Sequence, residues 1–462
     1  MTYAAIVTSR AIHGTFMWPP YVGWMRTVPN RPRMTTRIWI LVAMVGVAPA
    51  AAVAQSSVGS ANASPAGTLN LATALQIADA NSPTLQRVET RAGIVLGELR
   101  TLGQWPNPTL EYRRENLGAP LLPDEFVTAY IPFDFTGRRL TLARATARGR
   151  ERIALQRSAA RREVQAEIAR DWMRAVLSAE LAGTMRQYFL AVEDIADIEA
   201  QRAGEGVVAE AVAFRTRVEA NRLSHETALA EAQARQDRLS LASMLGVPAE
   251  QLPALPRLSD EGIVPVVDEL LADTSVSDAR LLAMAQQQRT ELLAADRARE
   301  EATLRQRVET AGVIGDWQLQ GGTKKTNGFM SGQVGLAVPL PLFNQNAGAR
   351  ARSVSVLRDA EAAWRETQLQ INGEVLAAAD QWRRLQRIRD RLMDTPQLGE
   401  QIATSARVAY AEGHMSLLEL LDAQRAAADA RRTAQQYQAD LHLARFRLAR
   451  AIGAALLPGS TP

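Results

Sequence analysis

Apolar residues recur every three or four positions along several stretches of the chain, the spacing that places them on one face of a helix. From Ala160 to Val176 every fourth residue is apolar, and arginines and glutamates occur between them. Two such patterns run for about 65 residues, and a helix of that length would extend about 95 Å, which favours coiled-coil-like packing. The predicted helices cover 69–103, with a break near Pro83, 139–202, 207–245, 277–310, 347–411 and 415–452.

Four shorter stretches alternate between apolar and polar residues. Alternation has the period of a strand with one apolar and one wet face. It is clearest in the second half of the chain, where Val313, Gly315, Trp317 and Leu319 alternate with the polar residues Asp316, Gln318 and Gln320. The predicted strands cover about 109–116, 125–134, 312–322 and 328–340.

The two halves of the chain repeat the same order of elements at one constant offset. Gly206 and Gly413 each follow a charged helical run and are 207 residues apart. Gly246 and Gly453 each close the next helical run at the same separation. The sequence therefore predicts a tandem duplication of a unit that contains two strands and a long helical hairpin. The offset also relates Pro132 to Pro339, Glu167 to Glu374 and Leu241 to Leu448.

The predicted boundaries follow from this duplication and from composition. The first repeat covers 69–246 and the second covers 277–453. Prolines within 247–276 indicate a linker between the repeats rather than a helix. Residues 55–68 are rich in serine, alanine and glycine and are expected to form a flexible linker, and 454–462 form a C-terminal tail.

The first 54 residues have the composition of a targeting segment. They contain five arginines and no acidic residue, and the apolar run from Ile38 to Ala54 ends in Ala-Val-Ala. We therefore expect an N-terminal extension and a cleavable signal peptide, with an uncleaved membrane anchor as the alternative. Those arginines account for five of the 53 basic residues, so 48 remain against 49 acidic ones. This balance argues against nucleic acid as a partner.

Reactive residues give no candidate for catalysis. The chain has no cysteine, which excludes disulfides, thiolate metal sites and a lipidated N-terminal cysteine. The run from Gly204 to Ala209 fits the dinucleotide fingerprint G-x-G-x-x-A, but a charged helix precedes it where that fingerprint needs a strand, so a tight helix–helix turn is the better interpretation. The four histidines lack a metal-ligand spacing. We predict a protein that is not an enzyme and has no catalytic, cofactor or metal site.

An exported chain with four alternating strands indicates a β-barrel portion. No stretch after residue 55 is apolar over about 18 residues, the length of a transmembrane helix. Four strands cannot close a barrel alone, because open sheet edges are not tolerated in lipid. Two chains would supply eight strands and three would supply twelve. The sequence thus predicts a mainly α protein with an oligomeric β-barrel portion, and the alternative is a periplasmic helical protein with two small hairpins.

Three motifs lie at or near predicted turns. One is Tyr410-Ala-Glu-Gly-His-Met-Ser-Leu-Leu-Glu-Leu-Leu-Asp-Ala-Gln-Arg425, and the others are Val338-Pro-Leu-Pro-Leu-Phe-Asn-Gln-Asn-Ala-Gly348 and Ile131-Pro-Phe-Asp-Phe-Thr-Gly-Arg-Arg139. The first is similar to the signature of the TolC family of outer-membrane efflux proteins, and the other two resemble the strand-to-helix turn of its heavy-metal (CzcC-like) branch. The resemblance covers about 69–453.

The resemblance implies a fold and partners. It implies a homotrimer in which a twelve-stranded outer-membrane β-barrel, set in outer-membrane lipid, continues into a periplasmic α-helical barrel. A periplasmic adaptor protein and an inner-membrane pump, of the resistance–nodulation–division class, would complete the assembly. The implied function is the outer-membrane channel component of a tripartite efflux system, a passive exit duct for metal cations or small toxic compounds. The alternative is a structural or adaptor-like periplasmic coiled-coil protein, although 139–246 lacks the lipoyl-like insertion of an adaptor.

The resemblance also implies roles for residues near the two turn glycines. Gly206, Val207, Gly413 and His414 are expected at periplasmic tips where an adaptor docks. Tyr410 matches a tyrosine of the gate that closes the tips in some relatives.

The charged partners of that gate are not found where the resemblance places them. Val212 and Met415 occupy those positions. We therefore expect the closed state to rest on other contacts, with Arg407 or Glu412 as candidates, or to be less tightly latched.

Glu419 and Asp422 are three residues apart and so share one helix face. By resemblance these acids line the narrowest part of the lumen, where a trimer would stack two carboxylate rings that favour cations and raise some of their own pKa values. The alternative is that they pair with Arg425 or with a neighbouring chain. The equivalent positions in the first repeat are Val212 and Arg215, so the acids belong to one hairpin only.

Overall fold

The computed structural model describes residues 67–118, 122–258, 276–314 and 316–454. The expected signal peptide, nearly all of the linker over 55–68, the middle of the linker over 247–276 and the C-terminal tail after Ala454 lie outside the described residues.

Each repeat contributes two short helices, two strands and a long helical hairpin. The first repeat contains α1 (Leu71–Asn81), α2 (Pro83–Leu102), β1 (Thr109–Glu115), β2 (Asp124–Phe133), α3 (Arg138–Gly204) and α4 (Glu210–Leu245). The second contains α5 (Asp278–Gln288), α6 (Thr290–Ala311), β3 (Trp317–Thr326), β4 (Phe329–Ala337), α7 (Ala347–Met393), α8 (Thr395–Ala411) and α9 (Leu417–Ile452). With 67 residues, α3 extends about 100 Å.

The offset of 207 residues holds in the structure. Helices α1 and α5 begin and end at equivalent positions, and so do α4 and α9. Gly246 ends α4 with a φ of 76°, and a Cβ there would lie 2.3 Å from the carbonyl oxygen of Asn81. Gly453 ends α9 with a φ of 79°, and a Cβ there would lie 2.9 Å from the carbonyl carbon of Gln288. The duplication thus preserves one close approach of two backbones in each repeat.

The break between the short helices is signalled by sequence in one repeat only. Pro83 begins α2, as predicted, because proline has no N–H to donate within a helix. The equivalent break at Arg289 interrupts the helix predicted over 277–310. The buried guanidinium of Arg289 donates to Oε2 of Glu374 over 2.9 Å and to the carbonyl of Ala451 over 3.3 Å. These tertiary contacts hold Arg289 at the break. The prediction of one helix was wrong because such contacts leave no local pattern in the sequence.

The helix predicted over 347–411 is also interrupted. Helix α7 ends at Met393, and α8 begins at Thr395 with Pro396 in its first turn. Proline is tolerated in a first turn because the N–H groups there have no partner within the helix. The prediction of one continuous helix was wrong because Pro396 interrupts the hydrogen-bond ladder while the apolar pattern continues.

Strand β3 lies further along the chain than the strand predicted over 312–322. Residues 312–314 form one 3-10 turn after α6, so the short alternation there belongs to a turn. The strand then continues through Gly322, where a Cβ would lie 2.1 Å from the carbonyl oxygen of Val127 on β2. This glycine permits close strand packing and does not end the strand. Strand β4 ends at Ala337, three residues before the predicted end.

The largest apolar core forms where the short helices pack against the long ones. Trp172 of α3 is fully buried, and its Nε1 donates to the carbonyl of Leu69 over 2.7 Å. Both repeats contribute large buried side chains to this core: Leu71, Leu75, Ile168, Leu241, Leu245, Ile371 and Leu448. Of the helices described, none is both long and apolar enough to cross a membrane.

The four strands form one antiparallel sheet in the order β1-β2-β3-β4. The central pairing joins the two repeats, since β2 lies beside β3 with Phe126 opposite Lys324 and Ile131 opposite Leu319. Strands β1 and β4 each pair on one side only among the described strands. The sheet therefore has two edges whose N–H and C=O groups are available for pairing.

The two faces of the sheet differ in polarity. One face, called the polar face, carries Thr109, Glu111, Arg113, Glu115, Asp124, Phe126, Thr128, Tyr130, Gln318, Gln320, Lys324, Thr326, Phe329, Ser331 and Gln333. The other, called the apolar face, carries Leu110, Tyr112, Val127, Ile131, Phe133, Trp317, Leu319, Met330, Val334 and Leu336, with Arg114, Glu125, Thr323 and Lys325 at the end remote from the helices. The apolar face is uncovered in the single chain, where Leu110 is 75% and Val334 is 86% exposed. So large an exposed apolar surface marks an interaction with lipid or protein.

Candidate functional site

The first long hairpin turns at Gly206, which has a φ of 74°. Its N–H donates to the carbonyl of Ala203 over 3.0 Å, and the N–H of Val207 donates to the carbonyl of Arg202 over 2.9 Å. These two bonds define a Schellman motif, in which a left-handed glycine ends the helix. Because helix α3 leads into this turn, the G-x-G-x-x-A run is a helix end. Val207 is 61% exposed beside it.

The second long hairpin has the same turn at Gly413, with a φ of 76°. The N–H of Gly413 donates to the carbonyl of Tyr410 over 3.0 Å, and that of His414 donates to the carbonyl of Ala409 over 2.8 Å. The imidazole of His414 is exposed. Within the described residues, no atom lies within 4 Å of a Cβ built on either turn glycine. The residues expected at the tips therefore lie at two uncovered helix ends.

Next to the turns, Tyr410 links the two hairpins. Its hydroxyl donates to Oε1 of Glu199 over 2.5 Å. The guanidinium of Arg202 donates to that same oxygen and to the Tyr410 hydroxyl, both over 3.0 Å, and lies over the tyrosine ring. Glu199 is fully buried, and its Oε2 has no hydrogen-bond partner in the part of the chain that the structure describes. Burial and the hydrogen bond to Glu199 raise the pKa of Tyr410 to about 12.

Sequence reasoning found the tyrosine but missed both partners. Glu199 and Arg202 are one helical turn apart on α3, and their counterparts at the offset of 207 are Ala406 and Ala409. The available signal was a charged pair in one repeat whose counterparts in the other repeat are two alanines. It is weak, because charged residues cover most helix faces in this chain.

The residues that sequence offered as gate partners make other contacts. Arg407 lies 3.8 Å from Glu400, and Glu412 lies 3.4 Å from His414. Met415 packs against a small apolar cluster of Ile195, Ala406, Leu420 and Ala423. The contact between the hairpins at Tyr410 is therefore built from Glu199 and Arg202.

Glu419 is held at the start of α9 by a capping box. Its Oε2 accepts from the backbone N–H of Ser416 over 2.8 Å and from the Ser416 hydroxyl over 2.7 Å. In return, the Ser416 oxygen accepts from the backbone N–H of Glu419 over 3.4 Å. The bonds from the Ser416 backbone and then its side chain hold the pKa of Glu419 below its ordinary value. Ala209 and Val212 replace this pair in the first repeat, so the capping box belongs to the second hairpin only.

Asp422 is exposed on α9, close to Glu419. Arg425, its alternative partner, lies 3.8 Å from Asp429 instead. The carboxylate of Asp422 therefore has no ion pair in the described ranges. Neither there nor elsewhere among the described residues do three His, Asp or Glu side chains come together as a metal site.

Several proteins of known structure share this architecture. The crystal structure of the outer membrane protein VceC from Vibrio cholerae superposes with a TM-score of 0.68 at 17% identity, over 84% of this chain and 97% of that chain. A membrane protein from Pseudomonas aeruginosa gives 0.71 at 17% identity, over 83% and 90%. The open state of the MtrE outer membrane channel from Neisseria gonorrhoeae gives 0.67 at 16% identity, over 84% and 89%. At these identities the likeness shows a common fold.

A family comparison adds evidence from the second repeat. Residues 303–454 match the family model described as "Outer membrane efflux protein". This stretch contains β3, β4, the second long hairpin and the motif from Tyr410 to Arg425. A comparison with curated proteins gave no match. The family match and the fold agree with the resemblance that the sequence motifs indicate.

Proposed function

We propose that this protein is the outer-membrane channel component of a tripartite efflux system and acts as a passive exit duct. The observation that carries the proposal is the four-stranded sheet, with its polar face, its exposed apolar face and its two open edges. An apolar outer face is favourable in lipid, but open edges are not. Two further copies of the sheet would pair with both edges and give twelve strands around a polar lumen.

Aromatic side chains at the helix-proximal end of the sheet support this placement. The ring of Trp317 lies 5.8 Å from that of Phe133 and 5.4 Å from that of Phe135. Phe135 is 76% exposed, and Phe343 is fully exposed at the corresponding turn of the second repeat. Aromatic residues concentrate at the two interfaces of a membrane. These residues would mark the level at which the chain leaves the outer membrane for the periplasm.

The long helices suit a homotrimeric tunnel. Each chain supplies α3, α4, α7 continued by α8, and α9, so three chains would supply twelve helical segments. Helix α4 exposes Phe214, Val218 and Leu229, which lie within one narrow stripe. Helix α8 exposes Leu398 and Ile402, one turn apart. A neighbouring copy would cover both stripes, as large exposed apolar stripes require.

The exposed tips support docking of a partner protein. The turns at Gly206 and Gly413, with Val207 and His414, would dock a periplasmic adaptor, and an inner-membrane pump of the resistance–nodulation–division class would drive transport. The cargo would be metal cations or small toxic compounds. The assignment to the heavy-metal (CzcC-like) branch rests on the strand-to-helix motifs at 131–139 and 338–348.

Two sites within the duct complete the proposal. Tyr410 would gate the tip, and its support is the contact with Glu199 and Arg202 between the two hairpins. Glu419 and Asp422 would form the lumen constriction, and their support is that both are exposed within about three helical turns of Gly413.

Membrane fractionation tests the assembly. We expect the chain in the outer-membrane fraction, migrating as a trimer in unheated detergent gels and as a monomer after heating. Val334→Lys on the apolar face should reduce insertion, because a lysine at mid-bilayer costs about 2–4 kcal/mol on a lipid-facing strand. Gln333→Lys, one residue away on the polar face, is the matched control. A soluble monomer, or equal insertion of the two variants, would contradict the proposal.

A further inference from the structure

One row of residues crosses the sheet at the end remote from the helices. Arg113 of β1 lies opposite Phe126 of β2, which lies opposite Lys324 of β3. Ser331 of β4 completes the row opposite Lys324. Residues directly opposite in antiparallel strands share one face of the sheet, so all four side chains lie on the polar face.

Phe126 is the anomaly in this row, because it is a large apolar residue on the polar face. The guanidinium of Arg113 lies 4.9 Å from the centroid of its ring, and Nζ of Lys324 lies 5.1 Å from the same centroid. The two cations cover the ring from both neighbouring strands, and Phe126 is only 9% exposed as a result. Cation–π attraction at these distances holds both charged groups at a fixed level of the sheet.

The two cations differ in their acidic neighbours. Nε of Arg113 lies 3.2 Å from Oε1 of Glu115, so that carboxylate offsets its charge. No carboxylate of the described residues lies within 4 Å of the Lys324 ammonium.

The other acids on the polar face accept hydrogen bonds from neutral groups, so they keep their negative charges. Asp124 accepts from the side chain of Asn116 over 3.2 Å, and Glu111 accepts from the Tyr130 hydroxyl over 2.7 Å. These acids lie in the rows on either side of Lys324, whereas the row of Lys324 itself contains two cations and no acid.

We infer that Lys324, positioned on Phe126, forms a cationic ring near the outer mouth of the lumen that attracts the anionic groups of solutes at this level. The inference rests on the proposed trimeric channel, in which the polar face lines the lumen and threefold symmetry repeats the cluster three times. The ligand class is a small solute with a sulfonate, phosphate or carboxylate group. Charged rings that line a pore select ions by this mechanism.

The chain contains its own matched control. Lys325 is the next residue of β3 and lies on the apolar face, opposite Met330. Both lysines therefore share the same strand and the same formal charge at adjacent positions, but they occupy opposite faces, and Lys325 lies opposite Glu125 where Lys324 lies opposite Phe126. Because the chain has no cysteine, a single introduced cysteine reports the electrostatic potential at one chosen position.

The experiment labels Ser331→Cys in intact cells with two membrane-impermeant methanethiosulfonates, one bearing a sulfonate and one a trimethylammonium group. At low salt the sulfonate reagent should react about fivefold faster, relative to its rate with a free thiol, than the cationic reagent. Adding Lys324→Gln should reduce that ratio at least about threefold, whereas adding Lys325→Gln should leave it unchanged. In the Ser331→Cys protein that keeps both lysines, high salt should also abolish the preference, because salt screens the charge.

The outcomes separate this inference from the proposed function. If Met330→Cys rather than Ser331→Cys reacts from the aqueous phase, the polar face does not line the lumen and the proposed channel fails with the inference. If Ser331→Cys reacts but shows no charge preference, or if the two glutamine variants behave alike, the channel stands and the cationic ring is overturned. Lys324→Arg should preserve the preference, because it keeps the charge over Phe126.

Discussion

The hydroxyl of Tyr410 lies 2.5 Å from Oε1 of Glu199, although 211 residues separate them in sequence. The contact joins α8 of the second repeat to α3 of the first, immediately beside the turn glycines. It places a buried carboxylate in the hairpin interface, and Arg202 is the ion-pair partner of that carboxylate. Arg202 lies on the same helix as Glu199, so separation of the two hairpins at this level would keep the ion pair and lose the hydrogen bond from Tyr410.

Tyr410→Phe should weaken the contact between the two hairpins. The substitution removes a hydrogen bond to a charged acceptor, worth about 1–3 kcal/mol, and leaves the Glu199 carboxylate with fewer partners. We expect a higher resting conductance in planar bilayers. Tyr437→Phe is the matched control, since the Tyr437 hydroxyl donates to the carbonyl of Leu385 within the large core, away from the tip. Equal conductance of the two variants would show that the tyrosine contact does not restrain the tip.

The same contact predicts a response to alkaline pH. Burial and the bond to Glu199 raise the pKa of Tyr410 to about 12, above the ordinary tyrosine value of 10.0. A group whose pKa is raised by folding contributes stability below its unfolded value and loses it as the pH rises through the folded value. The contact between the hairpins should therefore weaken between pH 10 and 12, and if that contact gates the channel, resting conductance should rise in that range. In Tyr410→Phe this rise should be absent, and an identical alkaline response in both proteins would contradict the assignment.

A comparison of two glycines with left-handed backbone conformations distinguishes the stability cost of backbone strain from the cost of close packing. Gly206 and Gly246 have nearly equal φ values of 74° and 76°, but a Cβ meets nothing within 4 Å at the first and lies 2.3 Å from the Asn81 carbonyl oxygen at the second. Gly206→Ala should cost about 1–2 kcal/mol through φ alone. Gly246→Ala should cost at least about 1 kcal/mol more, because the backbone of Asn81 must move. Thermal unfolding of the purified protein, followed by circular dichroism, measures the difference, and equal losses would contradict it.

The turn at Gly413 offers a test of adaptor docking. Gly413→Val places a β-branched residue at a φ of 76°, a strain of roughly 1–3 kcal/mol that should distort the exposed turn. We expect efflux to be lost while the trimer remains in the outer membrane. Gly183→Val is the control, because Gly183 lies within α3, has open space around its Cβ position and lacks a positive φ. Normal efflux from Gly413→Val would show that the adaptor does not dock at this turn.

The duplication explains how much of this structure could be predicted from sequence. The turn glycines and the short helices recur at one offset, so a pattern present twice identified the hairpins. Two features present in one repeat only were missed. Arg289 sets a helix break through tertiary hydrogen bonds, and Glu199 meets Tyr410 only because the two repeats pack together. Such contacts between distant segments have no local signature in the sequence.

Glu419 caps a helix and has a proposed role in the lumen, and a pair of substitutions can separate the two. Its carboxylate closes the capping box with Ser416, which keeps its pKa low and opposes the rise expected from a ring of like charges. Glu419→Gln keeps the box, because glutamine also serves at that position, but removes the charge. Ser416→Ala does the reverse and should cost about 1 kcal/mol of helix stability.

If Glu419 and Asp422 line the narrowest part of the lumen, Glu419→Gln with Asp422→Asn should reduce the cation-to-anion permeability ratio about threefold or more. The same double variant should relieve block by multivalent cations, because two rings of three carboxylates would be gone. Ser416→Ala should leave both properties unchanged and lower only thermal stability, since it keeps the charges. Reversal potentials across a salt gradient measure the permeability ratio. If the double variant keeps the native ratio and the native block, Glu419 is a helix cap and the constriction lies elsewhere.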